Sequence, residues 1–334
     1  MVKPNKNKIS SPAEIMDIIF SFRKSRIILT AFEFDLFSAI GNNKVTSEEV
    51  AKTIGADTRG TDRLMNALCV MGLFKKEKDL FSNSILAKKY LIKSSVDFLA
   101  GIAHSSALWS TWSTLTQAVQ KGGSVIERSQ SVSNNTQIKG FIAAMHQRAR
   151  IQAKTTTLLL DLTHVATVLD IGGGSGAYSM AILTTKRSCR GTIFDLPNVI
   201  PITKSYIEKA GMLSRFDFIP GDFNKDDFGS GYDLILLSAI IHMNSVEKNI
   251  NLLKKASNSL NKGGQLVIQD FIMNKNRTKP DAGAFFSLNM LVNTDAGDTF
   301  TEQEIREWMK AAGLYNIKLK KTPFEGLSLI IGWK

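Results

Sequence analysis

The 334-residue sequence predicts an α/β fold whose second half is a parallel sheet and whose first half is an all-helical part ending in a small wing. Three observations carry this. From Val165 onward, short β-branched runs alternate with helical segments, the signature of βαβ units. Before Val165 the pattern is almost entirely helical. Within that first part, two helix signatures and a short polar hairpin follow one another as helix, turn, helix and wing.

In order, residues 1–10 read as a flexible basic tail and 11–95 as a winged-helix domain. Residues 96–164 read as a helical linker and 165–334 as the sheet domain. The run from Ser11 to Gly41 reads as one or two amphipathic helices. "VTSEEVAKTIG" places Thr46 and Glu49 in capping-box spacing. "DTRGTDRLMNALCVMGLF" supplies the next helix and "KKEKDLFSNS" the hairpin. The strands expected beyond Val165 are "TVLDI", "RGTIFDL", "FDFIPG", "YDLILLS" and "QLVIQDF", with "NIKLKK" and "LSLIIGW" closing the chain.

Composition narrows the class. An apolar fraction of 43% with 22% charged residues fits a folded globular chain. The two cysteines, Cys69 and Cys189, share no metal-ligand spacing, so a reducing, cytoplasmic setting is the expectation. No signal peptide is visible at the start of the sequence, and no apolar run reaches the roughly 20 residues of a bilayer span, so no membrane partner is expected. The net charge of +12 is spread over scattered lysines, and the would-be recognition helix offsets Arg59 and Arg63 with Asp57 and Asp62. A phosphate-binding face needs concentrated positive charge, so no nucleic-acid partner is expected and the winged unit reads as a packing or dimerisation module.

"VLDIGGGSGAY" carries the most chemistry: a strand breaks into glycines and re-forms as a helix. Glycines allow a sharp turn and close approach of backbone to ligand, with a helix N-terminus beyond. Gly172, Gly174 and Ala177 satisfy the dinucleotide fingerprint, whereas Asp170, Gly172, Gly174 and Gly176 satisfy D-x-G-x-G-x-G, a loop that looks like one for S-adenosylmethionine; the loop alone leaves both open. Asp195 lies about 20 residues beyond Gly174, where an acid accepts from ribose hydroxyls, and both cofactors carry a ribose. "PGDFN" follows the next strand, with Asp222 placed to accept from an adenine amino group and Phe223 to lie against the ring. The fourth strand ends at His242, one of four histidines.

With "LDIGGGSGAY", "FDLP", "GDF", the strand ending in "IIH", "LNKGGQLVIQDF" and "FFSLNMLVNTDAGDTFTEQEIREWMKAAGL" in hand, the chain resembles, over nearly its full length, the small-molecule O-methyltransferase family of caffeic-acid, flavonoid and hydroxyindole enzymes. The resemblance implies a Rossmann-like catalytic domain that binds S-adenosyl-L-methionine and an N-terminal domain that forms a homodimer. It implies cofactor contacts from Asp170, Gly172, Gly174 and Gly176, from Asp195 with Leu196, from Asp222 with Phe223, and from Ser238. His242 falls on the family's catalytic base, which takes the proton of a small, aromatic acceptor; no metal is required. The helix "AFFSLNMLVN" lines the acceptor pocket in the family, which makes Asn289, Met290 and Asn293 candidates for substrate contact, with Trp109, Met145 and His146 beside them. His104 and His164 read as structural, and Asp226 and Asp227 as a solvated loop.

Two departures stand out. Many relatives read His-Asp-Trp where this chain has His242-Met243-Asn244. The acids that flank the base in plant enzymes would fall near Thr299 and around Gly332, neither of them acidic, which leaves two alternatives open: Asp295 or Asp298 substitutes, or the acceptor is more acidic. Three rival readings are methylation at carbon of an enolic or tetrapyrrole-like acceptor, a DNA-binding or sensor protein that binds the cofactor without catalysis, and an NAD-dependent oxidoreductase. The neutral recognition helix, the retained His242 and the missing nicotinamide-side motif weigh against the last two.

Overall fold

The computed structural model describes residues 9–126 and 135–334, so most of the expected basic tail lies outside the described residues. The chain divides into two units, one ending at Ser106 and one beginning at Ala107.

The first unit holds α1 (Pro12–Glu33), α2 (Leu36–Ile40), α3 (Ser47–Ile54), α4 (Thr58–Val70), the hairpin β1 (Phe74–Glu77) and β2 (Leu80–Asn83), and α5 (Ile85–Tyr90). Side-chain caps start α1, α3 and α4. Ser11 accepts from Glu14 N–H at α1, Thr46 and Glu49 complete a capping box at α3, and Asp57 accepts from Gly60 N–H at α4. Leu36, Phe37, Ile40, Met65, Leu68 and Phe81 close a core beneath the hairpin. Asn83 locks the second strand down by donating to the backbone oxygens of Phe37 and Gly41.

Helix α6 (Gly101–Trp112) leads into the second unit, which continues with α7 (Leu115–Lys121) and α8 (Asn135–Leu158). Then follow β3 (Thr167–Ile171), α9 (Ala177–Thr185), β4 (Arg190–Asp195), α10 (Ile200–Lys209), β5 (Phe216–Pro220), β6 (Tyr232–Ser238), α11 (Val246–Ser259) and β7 (Leu260–Met273). The chain closes with α12 (Asp281–Asn293), β8 (Phe300–Thr301), α13 (Glu302–Ala311), β9 (Tyr315–Lys321) and β10 (Leu327–Trp333). The sheet order is β5-β4-β3-β6-β7-β10-β9. Strands β3 to β7 run parallel, and β10 is antiparallel to both of its neighbours. Alternate residues of each strand feed opposite cores: Leu169, Ile235 and Leu266 pack on one face, Val168, Leu234 and Val267 on the other. The two-residue β8, paired with the end of β7, is too short to leave a periodic signal in sequence.

Strand order reverses at β3, which has β4 on one side and β6 on the other. In an open parallel sheet this is where the two flanking connections diverge and leave a crevice beyond the carboxyl ends of the strands. The glycine loop leaves β3 there, and His242 follows β6.

Candidate active site

The loop after β3 is held open by its glycines. Gly172, Gly174 and Gly176 have φ of 67°, 56° and 73°, the left-handed region that disfavours side chains. A Cβ on Gly172 would also stand 2.3 Å from Ile240 Cδ1. Gly172 N–H donates to Phe194 O at 2.8 Å, Gly174 N–H to Asp195 Oδ2 at 2.8 Å, and the Thr203 hydroxyl to Gly174 O. The expected cofactor residues thus gather at one strand edge.

Two acids line this edge. Asp170 is buried, accepts from Ser179 Oγ at 2.9 Å, and is pushed up to about 7 by burial, with Asp195 adding to the shift. Asp195 is also raised by burial, against the N–H groups of Gly174 and Leu196 that favour its anion. Leu196 is 42% exposed beside it and offers an apolar surface. Gly221 N–H donates to Asp195 O at 2.9 Å, which brings Asp222 and the half-buried Phe223 to the same end of the sheet. Asp222 itself accepts from Asn224 N–H at 2.9 Å. Ser238, the last residue of β6, engages the Tyr178 hydroxyl. An acid pair, a glycine cradle and an exposed leucine suit a cationic adenosine cofactor with ribose hydroxyls to hold.

His242 sits in a short 3-10 turn, Ile241–Met243, and is 8% exposed. Its Nδ1 lies 2.8 Å from Asp270 Oδ1 and 2.9 Å from Oδ2. An ionised carboxylate only accepts, so Nδ1 carries the proton and Nε2 of the neutral ring keeps its lone pair. Phe271 N–H donates to Asp270 Oδ1 at 2.8 Å and fixes the carboxylate in turn.

The carboxylate that meets His242 Nδ1 is that of Asp270, a residue outside the pair Asp295 and Asp298 considered from the sequence. Asp298 touches His242 only through the backbone, its N–H donating to His242 O at 3.0 Å, while its carboxylate turns to Arg277 at 3.1 Å and to Thr299 N–H. Gly332 is also the wrong end of its strand. Because β10 runs antiparallel to β7, Ser328 stands opposite Asp270 and Gly332 opposite Leu266, remote from the crevice. The departure at Asn244 has a structural reason as well: Asn244 is buried and bonds to Asn249 Oδ1, and Asn249 donates to Ile241 O at 2.8 Å, pinning the turn.

The acceptor-side candidates divide. His146 faces the cofactor loop, with Nδ1 2.9 Å from Ser175 Oγ and its ring 4.3 Å from Tyr206; burial, then Arg150, holds it below the usual histidine value. Met145 is half-buried on the same helix. Asn289 accepts from Trp112 Nε1 at 3.0 Å, which adds Trp112 to the residues that meet α12, and Asn293 donates back to Asn289. Met290 is buried as core, 6% exposed. Sequence reasoning also missed Tyr178, whose hydroxyl donates to Gln152 Oε1 at 2.9 Å and accepts from Gln269 Nε2 at 2.8 Å. Its signal was present as the polar pair Gln269-Asp270 inside an otherwise apolar strand.

Comparison with known proteins decides between the cofactors. Residues 112–315 match the O-methyltransferase domain family, and residues 16–93 match the O-methyltransferase dimerisation domain. The chain belongs to the O-methyltransferase family. It is an S-adenosylmethionine-dependent O-methyltransferase. Among similar proteins, 3-hydroxy-5-methyl-1-naphthoate 3-O-methyltransferase of Streptomyces sahachiroi is 26% identical over 96% of this chain and 94% of its own length. Acetylserotonin O-methyltransferase of Gallus gallus is 26% identical over 93% of this chain and 94% of its own. The fold is shared with an O-methyltransferase family protein from Burkholderia thailandensis (TM-score 0.86, 24% identity, 98% and 99% of the two chains). It is shared too with human N-acetylserotonin methyltransferase in complex with its methyl donor (TM-score 0.81, 21% identity, 98% and 99%).

Proposed function

We propose that this O-methyltransferase acts on a hydroxyl of a small aromatic molecule, with His242 as general base and Asp270 orienting it. The observation that carries this is the Nδ1 contact of 2.8 Å to Asp270, which leaves Nε2 for the acceptor. A phenol titrates near ~10 and histidine near ~6.5, so the imidazole withdraws the proton as the oxygen attacks rather than before. Asp270 stabilises the imidazolium that forms and holds the ring in one tautomer. When bound, S-adenosylmethionine supplies a methyl group already activated by the sulfonium. Asp170, Gly172, Gly174, Gly176, Asp195, Leu196, Asp222, Phe223 and Ser238 would hold it, with Asp195 accepting from the ribose and Asp222 from the adenine. The naphthoate and acetylserotonin in the names of the two relatives are both aromatic, in keeping with Phe286 beside His242 and Phe271 beside Phe286.

His242→Ala should lower kcat on a phenolic acceptor by ~10²–10⁴-fold while S-adenosylhomocysteine affinity by calorimetry stays near wild type. Turnover that survives the substitution removes His242 from the chemistry.

The dimerisation domain fits a homodimer, and the exposed apolar side chains of α1 support that reading. Ile15, Met16, Ile18, Ile19, Phe20 and Phe22 are each at least 41% exposed within the single chain. A helix this apolar on its outer face needs cover, and a second copy supplies it. Sedimentation should give twice the chain mass, and Ile18→Asp with Ile19→Asp should shift it to monomer; a wild-type monomer at micromolar concentration contradicts the assembly.

A further inference from the structure

Phe141, Met145, Arg148 and Gln152 follow one another along α8 at spacings of four, three and four, so they form one row on the helix. Gln152 fixes where that row points: its bond to the Tyr178 hydroxyl, itself bonded to Gln269, turns the row toward the carboxyl ends of β3 and β7. One turn earlier, the guanidinium carbon of Arg148 lies 5.9 Å from the ring centroid of Phe271. From Phe271 a line of rings leads back to the base. Phe271 and Phe286 are 4.7 Å apart, and Phe286 meets His242 edge-on at 4.8 Å.

Arg148 therefore marks the far end of an aromatic wall that begins at the general base. Among the described residues it makes no ion pair with a carboxylate. Its neighbours are a ring face and the Tyr178 phenol, whose anion it favours. A planar guanidinium near a ring, its donors in no hydrogen bond to another described residue, matches a planar carboxylate in two parallel hydrogen bonds. The net charge of +12 draws anions to the protein in the same sense.

We propose that Arg148 binds a carboxylate on the acceptor, and that the acceptor is an aromatic hydroxy acid lying along Phe271 and Phe286. Its hydroxyl then meets His242 Nε2 and its carboxylate meets Arg148. This rests on the reading of His242 as base for an aromatic hydroxyl.

A matched pair separates the two ideas: a hydroxynaphthoic acid and the naphthol with the same ring and hydroxyl. Initial rates are measured for wild type, Arg148→Gln and Arg148→Lys, and S-adenosylhomocysteine affinity is measured for each. Arg148 is exposed, so the substitutions spare the packing. Wild type should prefer the acid in kcat/KM. Arg148→Gln should shrink the acid-to-naphthol ratio ~10–100-fold, mainly through KM for the acid, and Arg148→Lys should restore part of it. Wild-type turnover of the naphthol without preference for the acid overturns the inference and leaves the aromatic-hydroxyl reading standing. Turnover of neither compound overturns both. A fall in S-adenosylhomocysteine affinity with an unmoved ratio also overturns it, by placing the guanidinium on the cofactor's own carboxylate.

Discussion

On the β3–β4–β5 side of the crevice the ligand groups come largely from backbone and strand ends, whereas on the β6–β7 side they come from side chains far apart in sequence. The glycine loop, Asp195 and Asp222 each follow directly from a strand, so their placement is fixed once the sheet forms. His242, Asp270, Phe286 and Arg148 sit on a turn, a strand and two helices, and meet only through tertiary packing. In the function proposed above, the first side recognises a constant cofactor and the second a particular acceptor. Perturbing one side should therefore move either cofactor affinity or turnover, and the comparison fails if a substitution on one side moves both equally.

The largest separation should come from Asp270→Asn. The amide can donate to Nδ1, which moves the ring proton to Nε2 and blocks the base. Turnover should fall ~10²-fold near neutral pH, with S-adenosylhomocysteine affinity held within about twofold. Equal loss of cofactor affinity would show that Asp270 supports the whole crevice rather than the histidine.

The difference between the two sides also explains what could be read from the sequence. The strands, the loop and His242 were legible because each is marked by local pattern: β-branched runs, clustered glycines, an imidazole at the end of an apolar strand. Asp270 lies in a strand that is legible in the sequence, but its pairing is not, because its partner depends on register. Ser238 of β6 lies beside Gln269 of β7, so the residue after Gln269 faces the turn that carries His242. That register is set by the core on both sheet faces, as is the antiparallel run of β10 that carries Gly332 away from the site. A buried acid in an apolar strand must find a partner, and this rule would have singled out Asp270 without naming His242. Trp112 and Arg148 left no local signal, since Trp112 meets Asn289 and Arg148 lies by Phe271, both remote in sequence.

The smaller effect concerns the cofactor side. Asp170 stands at about 7 in the folded chain against an ordinary 3.8, because burial disfavours its anion. The sign follows from that displacement. The folded state holds the proton more tightly than the unfolded chain, so the fold without ligand loses stability as pH rises from near 3.8 through about 7. A cationic cofactor favours the ionised carboxyl and opposes this loss, so its binding releases a proton below about 7. S-adenosylmethionine affinity should accordingly rise by at most ~10-fold per pH unit up to neutrality and then level off. Asp170→Asn cannot ionise, so it should flatten that rise. The acceptor side provides the control, because the imidazole of His242 is not part of cofactor binding. If Asp170→Asn leaves the pH dependence of affinity in place, the crevice charge sensed by the sulfonium lies elsewhere, with Asp195 the remaining acid on that edge. If affinity instead tracks His242→Ala, the two sides are coupled and the division between backbone-built and side-chain-built halves does not describe how the site works.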